Sequence, residues 1–451
     1  MRGTLAGAEP EAAVGDVVTD SRMVKAGDLF VALKGPRFDA HAFVDDVLAK
    51  GAAAIVGPRF EAGQWPAGPV LEVADTLEAL QDLARTIRRS VATRVVAITG
   101  SAGKTTTKEI IADFLSGTLR VVKNKGNLNN HIGLPLSLMQ LRDEPDVAVM
   151  ELGMNHAGEI STLVAIAQPD VRVWTNVGDA HIGFFASPDA IADAKAEILE
   201  RAADATVLVC NADDDRVMHR VRSFSGRVVS FGSAADATVR ATSIEDRGLD
   251  GMRAHVTTPA GDIELVSPLL GPGNLSNVLA ATAVALEFGI APATVAERAP
   301  RLQAADRRGA VHRLREGVTL IDDSYNSSPS ALKRALEVLQ QARDAGRRIA
   351  VLGEMLELGP HSIALHEECG RAAADSRLAL LYTVGSGPAK AMGDAAVDAG
   401  MPEDAVHYFD RSDAAAAAIA ASLHDGDVVL VKGSRGIRTD VIADRILAER
   451  R

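Results

Sequence analysis

The run Arg94-Val95-Val96-Ala97-Ile98-Thr99, followed directly by Gly100-Ser101-Ala102-Gly103-Lys104-Thr105-Thr106, constrains this chain more than any other segment. A short apolar run bounded by glycine reads as a strand buried on both faces. The glycines then turn the chain into a helix, and a strand–turn–helix of this kind belongs to a parallel sheet covered by helices. Glycines let successive backbone N–H groups converge on an anion, and the helix N-terminus adds its positive dipole end. Lys104 is placed to reach the β- and γ-phosphates, and the Thr105 hydroxyl to ligate Mg²⁺. In the usual phosphate loop a glycine stands five residues before the second one, and here that position is Ile98. The loop is therefore a shorter variant built on Gly100 and Gly103. The alternative is a plain glycine-rich turn carrying Gly-Lys-Thr by accident.

At 451 residues the chain exceeds one ordinary core, and roughly 150 residues per domain suggests about three. Residues 1–88 open with short strand-like runs at Val17-Val18, 27–33 and 52–56, with a helix over 41–50, and read as a small α/β module. Residues 89–312 carry the phosphate loop, and apolar runs at 147–150, 171–174 and 206–209 alternate there with helical stretches; residues 236–270 alternate polar and apolar and predict antiparallel strands. Residues 313–451 repeat the strand–helix alternation, with strands expected at 318–322, 348–352, 380–384 and 428–431, and predict a second, doubly wound parallel sheet. The alanine-rich tract at 413–421 reads as a good helix former.

Composition excludes more than it selects. The net charge of −12 argues against a general nucleic-acid binder, though not against an anionic ligand held by local donors. No apolar run approaches the roughly 20 residues that a spanning helix needs. Glu9, Glu11 and Asp16 break up the first twenty residues and argue against a signal peptide, so the expected location is the cytoplasm. Cys210 and Cys369 stand far apart, as two reduced thiols with no shared role would.

Three further side chains draw notice. Glu151 ends the run Val147-Ala148-Val149-Met150, at the strand end where open α/β sheets gather ligands; it is either a metal carboxylate or a helix-capping Glu. Ile191, Ile198 and Leu199 mark the apolar stripe of a helix expected over 189–202, and Lys195 falls on that same side. Either its stem snorkels, or burial holds the amine neutral and reactive. His181 ends the segment Asn176-Val177-Gly178-Asp179-Ala180, and is either structural or a partner of Glu151 and Lys195 in a second metal site.

Residues 99–108, Asn127-Leu128-Asn129-Asn130-His131-Ile132-Gly133-Leu134-Pro135, Glu151-Leu152-Gly153-Met154-Asn155-His156 and 176–181 together resemble, in order and spacing, the central domain of Mur ligases. Thr19-Asp20-Ser21-Arg22 and 27–35 resemble that family's UDP-binding N-terminal domain. Asp322-Asp323-Ser324-Tyr325-Asn326-Ser327-Ser328-Pro329, 352–359 and Val431-Lys432-Gly433-Ser434-Arg435-Gly436 resemble the C-terminal, Rossmann-like domain of the member that adds D-alanyl-D-alanine. Two departures stand out. Gly273 replaces the usual His before Asn274, and Arg307-Arg308 replaces the Gly-Arg pair ahead of the third domain.

The resemblance implies three α/β domains: a small UDP-binding one, a central P-loop ATPase-like parallel sheet, and a doubly wound C-terminal sheet. It implies ATP-dependent joining of D-alanyl-D-alanine to UDP-N-acetylmuramoyl-tripeptide through an acyl phosphate, by a monomer, with two Mg²⁺ ions and a carbamylated Lys195. On the same basis Gly100, Ser101, Ala102, Gly103, Lys104, Thr105 and Thr106 hold the phosphates, while Asn274, Asn277, Arg308, Asp323, Tyr325 and Asn326 hold the rest of the nucleotide. Thr105 and Glu151 serve one metal, and His181 and Lys195 the other. Ser21, Arg22, Asn129, Asn130, Lys432, Ser434 and Arg435 face the UDP-peptide and dipeptide. The third residue of the peptide, lysine or diaminopimelate, is open. Competing readings are a sibling ligase for another amine, a P-loop switch that turns over ATP without an amine, and a non-catalytic UDP-sugar binder.

Overall fold

The computed structural model describes residues 3–7, 9, 13–58, 68–342 and 346–450; Glu11 lies outside them. The chain folds into two compact units, each assembled from segments that are discontinuous in sequence.

The first unit comprises Met1–Ala97, Leu119–Met154 and Gly158–Val171. A five-stranded sheet runs in the order Gly3–Ala6, Val70–Val73, Ala53–Val56, Leu29–Val31, Val17–Val18. Gly3–Ala6 pairs antiparallel with Val70–Val73, and the other pairs are parallel. Both faces of Leu29–Val31 and Ala53–Val56 are covered, which is why these strands read as continuous apolar runs. Alternate residues Phe30, Ala32, Ala54 and Val56 pack with Val44 and Val47 of the helix Val44–Ala49, while Val31 and Ile55 pack with Leu80 of the helix Thr76–Ser90. Asp75 caps that second helix by accepting from Leu77 N at 2.7 Å and Glu78 N at 3.0 Å. At its far end Arg88 donates to Asp170 Oδ2 (2.8 Å) and to the carbonyls of Ala167 and Gln168. The unit also holds Val121–Lys123 paired in parallel with Val147–Glu151, which in turn neighbours the first four residues of the strand Arg94–Thr99.

The second unit comprises Ile98–Thr118, Asn155–Ala157 and Arg172–Arg451. One sheet here runs Ile263–Ser267, Met252–Thr257, Val239–Asp246, Arg227–Gly232, Val207–Asn211, then residues 172–174 and 98–99. Val207–Asn211 and Arg227–Gly232 pair in parallel; the three strands from 239 to 267 are antiparallel, as their alternation predicted. A six-stranded sheet follows, in the order Ala310–Arg313, Thr319–Asp323, Val428–Lys432, Arg348–Gly353, Leu380–Val384, Val406–Phe409. Only its first pair is antiparallel. Ile349, Val351, Val429 and Val431 face the helices Ser412–Ser422 and Asp440–Arg450 in one buried cluster. The α/β class and the doubly wound C-terminal sheet expected from the sequence are present.

Two expectations shift. The helix expected over 189–202 is an α-helix only over Pro188–Ala196, followed by a 3₁₀ turn, Glu197–Leu199. The buried Arg172 guanidinium donates to the Ile198 and Glu200 carbonyls and so draws the chain out of the helical ladder there. The strands Gly3–Ala6 and Val70–Val73 were not expected; the former is an exposed edge strand whose four residues carry no apolar alternation. Among the described residues, no helix is long and apolar enough to cross a membrane.

Candidate active site

The buried strand Arg94–Thr99 delivers the chain into a loop that ends at the helix Lys104–Ser116. Gly100 has φ +152° and Gly103 φ +83°, the region that disfavours side chains. A Cβ at 100 would stand 1.9 Å from Thr175 Oγ1, and one at 103 would stand 2.2 Å from Asn277 Oδ1. The loop is clamped from the neighbouring strand end. Ser101 N donates to Asn176 O (3.0 Å), Ala102 N to Asn176 Oδ1 (2.9 Å), and Gly178 N to Ser101 Oγ (2.8 Å). Thr175 Oγ1 and Asn176 Nδ2 both donate to Ala102 O, at 2.7 and 3.1 Å. Lys104 folds back with Nζ donating to Gly100 O at 2.8 Å. A loop fixed in this way holds its conformation before any ligand arrives, with the Ser101 and Ala102 N–H groups spent on Asn176. From the helix Gly271–Glu287, Asn277 accepts from Thr107 Oγ1 (3.2 Å) and donates to Asn274 Oδ1 (3.1 Å), while Asn274 Nδ2 donates to Leu270 O (2.9 Å). Both asparagines are thus tied to the phosphate-loop helix. Gly273 leaves open space, with Arg334 the nearest neighbour of a Cβ there at 3.9 Å.

Lys195 is 1% exposed, on the side of its helix that buries Ile191. Ser187 accepts from Ala190 N to cap that helix, and Pro188 opens it. Burial pushes the Lys195 ammonium well below the ordinary lysine range, and the nearby positive charge of Lys104 adds to the effect. The neutral amine is the form that reacts as a nucleophile.

His181 takes the left-handed conformation (φ +66°) at the start of the turn Ile182–Phe184. Its Nδ1 lies 2.6 Å from Glu357 Oε2, and Glu357 itself has φ +65°. The His181 contact, opposed by partial burial, holds the Glu357 carboxyl below the usual carboxylate range. Gly183 N donates to Glu357 O (2.9 Å), and Ser330 donates to Asp179 through N (2.9 Å) and Oγ (2.7 Å). The segment 176–184 is therefore gripped by the phosphate loop at one end and by residues 330 and 357 at the other.

In the C-terminal sheet, the buried Lys432 donates to Asp323 Oδ2 (2.6 Å) and Asn326 O (3.1 Å). Ser434 Oγ accepts from Leu356 N (2.9 Å). The Arg308 guanidinium lies 4.1 Å above the Tyr325 ring centre, and that of Arg435 lies 5.6 Å from it. Arg308, Asp323, Tyr325, Asn326, Lys432 and Arg435 thus form one polar constellation at the strand ends.

In the first unit, Glu151 is buried at the end of Val147–Glu151. Asn129 Nδ2 donates to its Oε1 (2.9 Å), while Asn124 pairs with its backbone through both amide atoms. Asn130 Oδ1 accepts from Ile132 N and Gly133 N, and so starts the helix Gly133–Leu138. Ser21 and Arg22 line a cavity of about 420 Å³ with Phe43, Asp46, Ala49 and Lys50. Arg22 donates to Asp20 at 2.6–3.2 Å and holds that carboxyl down at about 2. Among the described residues, no three His, Cys, Asp or Glu side chains gather as a metal site. Asn124 and Ser330 lie outside the segments read from sequence, and Asn176, Asp179 and Glu357 have no role of their own in that reading. The bonds that tie them to Glu151, Ala102, Asp179 and His181 span 27 to 176 residues along the chain, beyond any local pattern.

Comparison with known proteins places these segments in one family. The Mur ligase family catalytic domain model matches residues 14–88, the Mur ligase middle domain 98–285, and the Mur ligase glutamate ligase domain 307–435. The UDP-N-acetylmuramoyl-tripeptide–D-alanyl-D-alanine ligase of Bacillus subtilis is 34% identical over 448 residues, covering 99% of this chain and 96% of the relative. Its Escherichia coli counterpart is 37% identical over 85% of this chain and 84% of its own length. Among solved structures, MurF from Acinetobacter baumannii superposes with a TM-score of 0.87 at 33% identity, covering 97% and 94% of the two chains. MurF from Thermotoga maritima in complex with ADP gives 0.84 at 29% identity, covering 98% and 99%. With three consecutive family domains and a full-length relationship at this identity, the chain belongs to the Mur ligase family.

Proposed function

We propose that this chain joins D-alanyl-D-alanine to the terminal carboxylate of UDP-N-acetylmuramoyl-tripeptide, consuming ATP and releasing the pentapeptide, ADP and phosphate. The observation that carries this is a clamped glycine-rich phosphate loop with Lys104 near a buried Lys195 whose ammonium form burial disfavours, in a chain similar over 99% of its length to a UDP-N-acetylmuramoyl-tripeptide–D-alanyl-D-alanine ligase. A carboxylate cannot acylate an amine in water until one oxygen becomes a leaving group. One carboxylate oxygen attacks the γ-phosphorus and ADP leaves. The dipeptide amine then attacks the acyl carbon and loses a proton, and phosphate departs carrying that oxygen. Such a transfer needs in-line positioning and charge neutralisation more than covalent help.

Lys104 and the loop of residues 100–106 are assigned to the phosphates. Asn274, Asn277, Arg308, Asp323, Tyr325 and Asn326 are assigned to the rest of the nucleotide. Ser21 and Arg22, beside their cavity, are assigned to the UDP end of the substrate; Asn129, Asn130, Lys432, Ser434 and Arg435 are assigned to its peptide and the incoming dipeptide. The Thr105 hydroxyl and the Glu151 carboxylate, the latter oriented by the Asn129 amide, are oxygen donors of the kind Mg²⁺ takes; His181 would add an imidazole nitrogen, and Lys195 an oxygen donor once carbamylated. An amine held neutral by burial can add CO₂ and lose a proton to give an anionic carbamate, as Lys195 would. Thr105 and Glu151 would serve one ion, and His181 and carbamylated Lys195 a second. When bound, two cations supply the positive charge that offsets repulsion between triphosphate and carboxylate. We further assign the chain to the cytoplasm as a monomer that binds no nucleic acid, with domains at 1–88, 89–312 and 313–451.

The test is a reaction of purified protein with ATP, Mg²⁺ and the UDP-tripeptide, scored by product mass. Pentapeptide should form only when D-alanyl-D-alanine is present. Phosphate release that ignores the amine would instead indicate a nucleotide switch, and product with a different amine would indicate a sibling ligase.

A further inference from the structure

We infer that Glu357 is a positioning residue for His181: by accepting the Nδ1 proton it fixes the ring's tautomer and leaves the Nε2 lone pair for the phosphate site. The inference rests on the assignment of His181 to that site. An ionised carboxylate can only accept, so at 2.6 Å from Glu357 Oε2 the imidazole must donate through Nδ1. The neutral ring then keeps its proton on Nδ1, and Nε2 is the basic atom.

Several features show that this contact is built rather than incidental. His181 and Glu357 both hold left-handed backbone conformations, each disfavoured for a side-chain-bearing residue unless its surroundings impose it. The contact is doubled by Gly183 N donating to Glu357 O at 2.9 Å. The two segments approach so closely that a Cβ at Gly183 would stand 2.5 Å from Gly359 N, and one at Gly359 would stand 2.9 Å from the Gly183 α-carbon. The loop bearing Glu357 is itself pinned: Met355 N donates to the Nε2 of the buried His366 (2.8 Å), and Leu356 N donates to Ser434 Oγ. Because His366 accepts through Nε2, its own proton sits on Nδ1, 2.7 Å from Ser362 O. The ring of His181 is thus held through a relay, 366 to 355–357 to 181. A histidine that binds a cation is ordinarily oriented by a carboxylate on its other nitrogen, and loss of that partner costs about 10–100-fold in affinity or activity.

The test compares wild type, Glu357→Ala, Glu357→Gln and His181→Ala. The His181 tautomer is read by nitrogen NMR of ¹⁵N-histidine-labelled, metal-free protein, with His181→Ala providing the assignment. Mn²⁺ affinity of the ADP-loaded protein is measured separately by titration. Glu357 is partly exposed, so both substitutions should melt within a few degrees of wild type. Wild type should show the Nδ1-protonated ring. E357A should populate the other tautomer and bind Mn²⁺ about 10–100-fold more weakly. E357Q, whose amide oxygen can still accept, should stay close to wild type. If E357A leaves both tautomer and Mn²⁺ affinity unchanged while H181A loses ligation, the positioning role is wrong and the site assignment stands. If H181A ligates as well as wild type, the site assignment itself falls, and the positioning role falls with it.

Discussion

Replacing Gly103 by alanine should damage this protein in two separable ways, and the sizes follow from its geometry. At φ +83° an L-residue incurs roughly 1–2 kcal/mol of backbone strain. The new Cβ would also lie 2.2 Å from Asn277 Oδ1, so the amide must move. Asn277 would then lose its bonds to Thr107 and Asn274, at about 1 kcal/mol each. The sum is about 3–4 kcal/mol, which for a domain of this size lowers the melting midpoint by about 5–15 °C. Gly289 supplies the control. It sits at φ +76° with nothing within 4 Å of a Cβ, so Gly289→Ala should cost only the strain. The displaced loop should also lose about one charge-assisted amide–phosphate bond, weakening ADP about 10–100-fold, whereas G289A should bind ADP as wild type does. Thermal melting with and without ADP, together with ADP titration, measures all four quantities. If G103A matched G289A in melting midpoint and ADP affinity, the close packing of Asn277 against the phosphate loop would be refuted.

Three further outcomes are expected. Lys195→Ala should abolish ligation without unfolding the chain, with partial rescue by small carboxylates that replace the carbamate; full activity in this variant would remove Lys195 from the chemistry. In bicarbonate-free buffer, Lys195→Met should be more stable than wild type near neutral pH: the folded-state pKa of Lys195 is depressed, so the unfolded chain takes up a proton that the folded chain does not. The folded chain thus holds that proton less tightly than the unfolded chain, and wild-type stability should gain relative to K195M as pH rises toward the ordinary lysine range; urea unfolding at neutral and alkaline pH checks the sign, and parallel pH profiles would contradict it. Lys104→Ala should retain ATP binding but lose phosphoryl transfer, read as absent phosphate release in the complete reaction.

The central chemistry was legible because it is local. A phosphate loop needs glycine and lysine at short fixed offsets from a strand end, and helical periodicity alone placed Lys195 on the buried side of its helix. What escaped was long-range. The grip of Asn176 on Ala102, of Ser330 on Asp179, and of Glu357 on His181 joins residues up to 176 positions apart, and none leaves a pattern in a local window. The early end of the Lys195 helix has the same origin, since Arg172 reaches forward to the carbonyls of 198 and 200 from a different strand. The edge strand Gly3–Ala6 was missed for the opposite reason: it exists by pairing with Val70–Val73, and its own residues say little.

Whether the phosphate loop activates a carboxylate, rather than merely hydrolysing ATP, is read most directly by following oxygen. With the terminal carboxylate of the UDP-tripeptide labelled in ¹⁸O, passage through an acyl phosphate predicts one ¹⁸O atom in each phosphate released, and one ¹⁸O retained in the new amide. Unlabelled phosphate accompanying full pentapeptide formation would contradict it.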